Sequence, residues 1–369
     1  MKARNPLAGL GELGQSPWYD YITRDLITSG ELERLIREDG LKGMTSNPTI
    51  FEKAFTGSAL YDDDIRRLMG ENRVPGEIFE AIAVEDIQSA CDVFHPVYEA
   101  SGGVDGVVSI EVSPELARDT DGTIEEAERL WDTVARPNVM VKIPGTAEGL
   151  PAIRHCLAQG ININITLLFS VERYREVVEM YFEALEERIA NGMPVDRITS
   201  VASFFVSRVD TKIDAILDKA GDPEKLRGTI GIANAAVAYA DFLVAFSGER
   251  WYRMSARGAR LQRPLWASTS TKDPKFPDIY YAEALIAPNT VNTLPPDTFD
   301  AYRDHGKPKV RIFDAIATAE DRLARLGKAG VDLAQVTREL EEEGVDKFAA
   351  SFRSLLGGLE SKTAALAGS

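Results

Sequence analysis

One alternation constrains this chain more than any other feature. Short apolar runs, bounded by Gly, Pro or Asn, take turns with longer segments of helical period. The runs cover residues 18–22, 43–46, 106–112, 139–143, 161–169, 198–205, 264–268 and 281–287, the last running towards Asn289. They are rich in Val, Ile, Leu, Phe and Thr, as expected of parallel strands buried on both faces. Segment 281–285 could equally end a helix. Between the runs lie helix signals. Ser113-Pro114-Glu115 places a capping serine before a proline at the first helical position. Ser170 opens segment 171–190, where Tyr174, Val177, Val178, Tyr181, Leu185 and Ile189 recur at helical steps until Asn191-Gly192 ends it.

Repeated β-then-α units imply a parallel sheet with right-handed crossovers, either open and doubly wound or closed into a barrel. Eight units favour the closed (β/α)₈, or TIM, barrel with additional helices. Helical stretches at 311–325, 332–343 and 345–356 read as a C-terminal extension packed against it. A chain of 369 residues could hold two average domains or one enlarged barrel. No Pro- or Ser-rich linker, fixed-period repeat or low-complexity tract divides it. Residues 1–369 therefore read as a single domain, with a core at 15–310 and an extension at 311–369.

Charge and cysteine usage narrow the class. With 58 acidic and 42 basic residues the formal net charge is −16, which argues against nucleic acid or an anionic membrane as partner. A few basic groups facing a pocket would still suffice for phosphorylated sugars. The only two cysteines, Cys91 and Cys156, lie in helix-like segments, so this is no disulfide scaffold and the cytoplasm is the expected location. The opening Met1-Lys2-Ala3-Arg4-Asn5-Pro6 has no signal-peptide apolar run. Residues 228–246 approach membrane-span length but include Asn234 and Asp241, which favours a buried or amphipathic helix. Whether copies associate is left open.

Several other signals carry little. Gly9-Leu10-Gly11-Glu12-Leu13-Gly14 has the letters of a dinucleotide fingerprint without the preceding strand that such a loop needs. Asp62-Asp63-Asp64 reads as a solvated helix face. His95, His155 and His305 have no ligand-like spacing, so no metal is expected. Asn164-Ile165-Thr166 is formally a glycosylation sequon, but it falls in a strand expected to be buried.

The informative residues are polar side chains interrupting the greasy runs: Asp20, Asn47, Glu111, Lys142, Asn164, Thr166 and Ser203, nearly all late in or just after their runs. Taken singly, each could be a surface residue of a misplaced strand, or a helix cap. A barrel explains the set together, because its strand C-termini converge on one mouth. A lone buried lysine or carboxylate is expensive, and burial disfavours its charged form. A lysine so placed can be a neutral amine that attacks a carbonyl, and the resulting Schiff base is an electron sink for breaking a carbon–carbon bond. Asp20 and Glu111 can move protons, while Asn47, Asn164, Thr166 and Ser203 can position hydroxyls and a water. No metal or cofactor is called for.

The ordered strings Trp18-Tyr19-Asp20, Thr45-Ser46-Asn47-Pro48-Thr49, Ser109-Ile110-Glu111-Val112, Val141-Lys142-Ile143-Pro144, Asn164-Ile165-Thr166-Leu167-Leu168-Phe169-Ser170 and Ser203-Phe204-Phe205-Val206-Ser207-Arg208 resemble the transaldolase family, in its longer bacterial branch, over residues 15–290. The resemblance implies a transferase of the pentose phosphate pathway. Such enzymes pass a dihydroxyacetone unit from sedoheptulose 7-phosphate to glyceraldehyde 3-phosphate, giving erythrose 4-phosphate and fructose 6-phosphate. It implies a Schiff base on Lys142, acid–base work by Asp20 in carbon–carbon cleavage, and Glu111 acting with Thr166 on a water. It also implies a dihydroxyacetone site at Asn47, Asn164 and Ser203, and a phosphate ligand in Arg208. Where shorter members have Ala-Ser-Phe-Arg-Asn, this chain reads Ala267-Ser268-Thr269-Ser270-Thr271-Lys272. Ser268 and Lys272 are thus candidates there, with Lys272 as second cation. Phe205 resembles the transaldolase branch, whereas tyrosine is usual in fructose 6-phosphate aldolases. That aldolase activity and a non-catalytic sugar-phosphate-binding barrel remain the alternatives.

Overall fold

The computed structural model describes residues 5–222 and 224–367. Its centre is a closed, wholly parallel barrel of eight strands in sequence order. They are β1 (Gln15–Asp20), β2 (Gly43–Thr45), β3 (Val107–Glu111), β4 (Val139–Pro144), β5 (Ile163–Leu168), β6 (Ser200–Phe205), β7 (Gln262–Ala267) and β8 (Thr290–Leu294). The ring closes where β1 pairs with β8, from Gln15 opposite Thr290 to Tyr19 opposite Leu294. Helices surround it, so the expected (β/α)₈ barrel with additional helices is the fold.

Side chains alternate along a strand, so residues two apart share a face. Trp18, Val107, Met140, Val201, Leu265 and Val291, one from each of six strands, belong to one buried apolar cluster. They fill the lower barrel as a packed core, as is usual for this architecture. Gly43 permits this packing: it is the register partner of Trp18, and a Cβ on it would lie 2.5 Å from the indole. Two positions further along these strands the residue type changes to Asp20, Ser109, Lys142, Ser203, Ala267 and Thr293. One step of strand period thus separates an apolar plug from a mostly polar ring.

The outer layer follows its local signals. Ser170 accepts the Arg173 N–H and caps helix Val171–Ala190, which Asn191 ends. Ser113 caps only a short 3₁₀ turn, Pro114–Leu116. Helix Ile230–Ala245 is largely buried, and no single helix among the described residues is long and apolar enough to cross a membrane. The glycine-rich letters near the start span the end of helix Pro6–Glu12 and the turn into β1, the reverse of strand–loop–helix order. Asp62, Asp63 and Asp64 pair with Lys362, Arg66 and Arg24. Cys91 and Cys156 are separate buried thiols.

Three expectations need correction. The first strand lies earlier than 18–22 and ends at Asp20. The eighth strand is not 281–287: Tyr280–Ala284 is helical, and β8 is Thr290–Leu294. Its buried residues Thr290, Asn292 and Thr293 hide it from a search for apolar runs. The extension has two helices, not three, because segments 332–343 and 345–356 are parts of one helix, Leu333–Ala367, running through Gly344.

Outside the mouth, helix Ser207–Ala220 buries Asp210, which accepts the Gly231 N–H at 2.7 Å. Burial pushes its carboxyl up to about 7, aided by nearby Asp214 and opposed by hydrogen bonds from Gly231 and Tyr281. The folded state therefore holds this proton more tightly than the unfolded chain; the resulting stability is complete below the ordinary value of 3.8 and is lost progressively as pH rises from there to about 7. Asp210→Asn keeps an acceptor for Gly231 without the charge. It should stabilise the protein increasingly across that range, by roughly 1–3 kcal/mol more at pH 8 than at pH 5, as chemical denaturation at the two pH values will measure.

Candidate active site

Lys142 stands on β4 with 6% of its surface exposed. Its neighbours in register are Glu111 on β3 and Asn164 on β5. The Lys142 ammonium forms an ion pair with Glu111 and donates to the Ser46 carbonyl at 3.2 Å. The face of Phe348 lies above Nζ, 5.8 Å from it to the ring centroid. A cation that is poorly hydrated needs such partners.

The amide of Asn164 bridges two strands. Its Nδ2 donates to Ser109 Oγ at 3.0 Å, and its Oδ1 accepts from Ser203 Oγ at 2.6 Å. Ser46 Oγ in turn donates to the Ser109 carbonyl at 2.9 Å. The Asn164–Ser109 bond spans β5 to β3 past β4, so both side chains point into the barrel. On the opposite wall Thr45 Oγ1 donates to Asp20 at 2.7 Å and sits 2.7 Å from the Thr293 hydroxyl.

Asn47 has two tasks. Its Oδ1 accepts the Ile50 N–H at 3.0 Å, capping helix Pro48–Gly57, and its side chain also bonds Asp20. The Asn-Pro pair is thus a helix start as well as part of the mouth. Burial pushes the Asp20 carboxyl up, against the charges of Lys142 and Arg208 and the hydrogen bonds of Thr45 and Asn47. Burial likewise raises Glu111, opposed by the charge and hydrogen bond of Lys142 and reinforced by the negative charge of Asp20. Two carboxyls inclined to hold protons flank one amine.

Thr166 lies opposite Pro144, where β5 departs from regular pairing: the β5–β6 register shifts between Ile165 and Leu168, and Leu167 has φ of 61°. Positive φ is costly for a leucine, and such strain clusters at functional sites. Among the described residues, Thr166 Oγ1 is buried without a hydrogen-bond partner, and Glu111 has none beyond its lysine. These atoms are available to a substrate hydroxyl or water.

A second zone adjoins the first. Arg208, near the start of helix Ser207–Ala220, lays its guanidinium over Phe205, 5.0 Å from the ring centroid, and Phe205 packs on Phe169 at 5.1 Å. Burial lowers the Arg208 pKa while Asp20 raises it. Among the described residues no carboxylate forms an ion pair with this arginine. Arg208 lines a cleft of about 560 Å³ together with Asp20, Asn47, Lys53, Lys272, Lys347 and Phe348. Lys272 therefore does reach the cleft. Ser268 does not line it: its hydroxyl is 2.9 Å from that of Ser207.

The structure thus gathers Lys142, Glu111, Asp20, Asn47, Asn164, Thr166, Ser203, Phe205, Arg208 and Lys272 at one mouth and leaves Ser268 beside it. Sequence reasoning missed Ser109 and Thr293, although Ser109 precedes Glu111 by one strand period. It also missed Lys53, Lys347 and Phe348. Such an arrangement can form an imine at the amine, shuttle protons through the carboxyls and hold an anion at the outer edge.

A parallel barrel with one buried amine between two carboxyls and an anion-ready rim defines an aldolase-like site. The chain belongs to the transaldolase/fructose-6-phosphate aldolase family, whose model matches residues 17–359. Among its relatives, a transaldolase of Trichodesmium erythraeum is 46% identical, covering 97% of each chain. One of Acidothermus cellulolyticus is 48% identical over 95% of each, and one of Mycolicibacterium smegmatis 46% over 96% of each.

Asn164→Ala would orphan the Ser109 and Ser203 hydroxyls inside the barrel. The expected loss is about 1–3 kcal/mol of unfolding free energy, measured by urea denaturation.

Proposed function

We propose that this chain is a transaldolase. It would transfer a dihydroxyacetone unit from sedoheptulose 7-phosphate to glyceraldehyde 3-phosphate, yielding erythrose 4-phosphate and fructose 6-phosphate, in the cytoplasmic pentose phosphate pathway. The observation that carries this reading is the buried Lys142–Glu111 pair at the barrel mouth beside a cationic cleft.

Passing a proton from Nζ to Glu111 leaves two neutral groups, the form of Glu111 that burial favours. The free amine attacks the C2 ketone, and the carbinolamine loses water to give the imine. Glu111 and Thr166 manage that water. Asp20 takes the C4 hydroxyl proton as the C3–C4 bond breaks; the electron pair enters the imine as an enamine, and the aldose phosphate departs. The acceptor aldehyde then adds by the reverse steps, and hydrolysis frees Lys142. Asn47, Asn164 and Ser203 hold the dihydroxyacetone hydroxyls, Phe205 supports Arg208, and Arg208 with Lys272 binds phosphate.

Incubation with fructose 6-phosphate followed by borohydride reduction should leave a three-carbon adduct on Lys142, located by mass spectrometry, and Lys142→Ala should abolish both adduct and turnover. An adduct elsewhere, or none, rejects the mechanism. Adding erythrose 4-phosphate as acceptor, which transfer would convert to sedoheptulose 7-phosphate, separates transfer from the alternative, release of free dihydroxyacetone by a fructose 6-phosphate aldolase. Asp20→Ala should slow carbon–carbon cleavage at least 10²-fold while imine formation falls far less, as single-turnover trapping will resolve. Equal loss of both steps contradicts the role given to Asp20.

A further inference from the structure

Helix Leu333–Ala367 crosses the mouth at close range. Gly344 allows this: a Cβ there would lie 3.0 Å from the Leu167 side chain. One turn later Phe348 reaches over Lys142 and, with Val345, lines a small cavity with Glu111, Lys142 and Thr166. The neighbouring residue, Lys347, lines the cleft that contains Asp20, Arg208 and Lys272. The helix is fixed at both ends of this crossing. Lys212 pairs with Glu339 and Glu343 at 2.6 Å each, while Lys362 donates to the Phe55 carbonyl at 2.7 Å and pairs with Asp62 at 2.6 Å.

The charge pattern in the cleft is unusual for a protein of net charge −16. Four cations, Lys53, Arg208, Lys272 and Lys347, line it against two carboxylates, Asp20 and Asp297. Among the described residues Lys53 and Lys272 have no ion pair. Among the described residues Lys347 forms an ion pair only with Glu343, at 3.7 Å, and Lys212 already holds that carboxylate at 2.6 Å. Unspent positive charge facing one space is suited to a doubly charged anion.

We propose that the C-terminal helix is part of the substrate site, with Lys347 joining Arg208, Lys272 and Lys53 in binding the sugar phosphate while Phe348 shields the Lys142 amine from water. This rests on the transaldolase reading and extends it: the helix selects phosphorylated over free sugars. Arg208 supplies the rigid fork, and the lysines supply mobile point charges that follow the phosphate on substrates of different length. Phe348 replaces water above the amine with an apolar surface.

The test compares kcat/KM for fructose 6-phosphate with that for fructose. Lys347→Ala should lower this ratio about tenfold, the factor corresponding to about 1.4 kcal/mol, and Lys347→Arg should restore it. A ratio unchanged in Lys347→Ala, or lost equally in Lys347→Arg, overturns the phosphate assignment. Phe348→Ala should lower kcat for both sugars alike and Phe348→Leu recover it; an unchanged kcat in Phe348→Ala removes the shielding role. Borohydride trapping of each variant with free dihydroxyacetone, which carries no phosphate, reports on Lys142 alone. Its failure in the parent protein would reject the enzymatic reading itself, whereas success with an unaltered sugar ratio would reject only the part given to the helix.

Discussion

The Lys142–Glu111 contact is the interaction to which the rest of the mouth is fitted. Two opposite charges taken out of water repay their desolvation only if geometry and further hydrogen bonds are right. Glu111 stands beside Lys142 in the β3–β4 register, Ser46 accepts from the ammonium, and Asn164 completes the row on β5. Shifting any of these strands by one residue would turn its polar side chain outwards. The packed plug below, with Trp18 seated against Gly43, holds that register.

A site built this way keeps stability and chemistry in tension. The raised carboxyls of Asp20 and Glu111 are poor stabilisers of the fold, since burial opposes their charge. That same resistance to ionisation suits them to take up and hand on protons. Leu167, held at positive φ beside the unpartnered Thr166 hydroxyl, is another local cost borne by the surrounding packing. By contrast, the Asn164–Ser109–Ser203 bonds satisfy one another and fix positions without being asked to titrate.

Much of the fold and the polar ring could be read from the chain. Seven strands announced themselves as apolar runs, and Asp20, Glu111, Lys142, Asn164, Thr166 and Ser203 stood out because they interrupted such runs. The eighth strand escaped because Thr290, Asn292 and Thr293 are polar residues that are buried and hydrogen-bonded, so no apolar run marks it. Residues brought by distant helices left no local mark. Phe348 reads as one more core residue of an amphipathic helix and Lys347 as one more surface charge; only the path of that helix over β5 places them at the mouth. Gly344 likewise suggested a break between two helices, whereas its role is to let one continuous helix pass close to Leu167.

The plug of Trp18, Val107, Met140, Val201, Leu265 and Val291 has a topological corollary. It makes the barrel a blind well, with no passage out through the floor. Whatever leaves the amine must depart by the opening through which the next molecule arrives, beneath the same overhanging helix. Two sugars exchanging a fragment here would come and go by one route. The order of their traffic is then constrained by the shape of the vessel as well as by any difference in affinity.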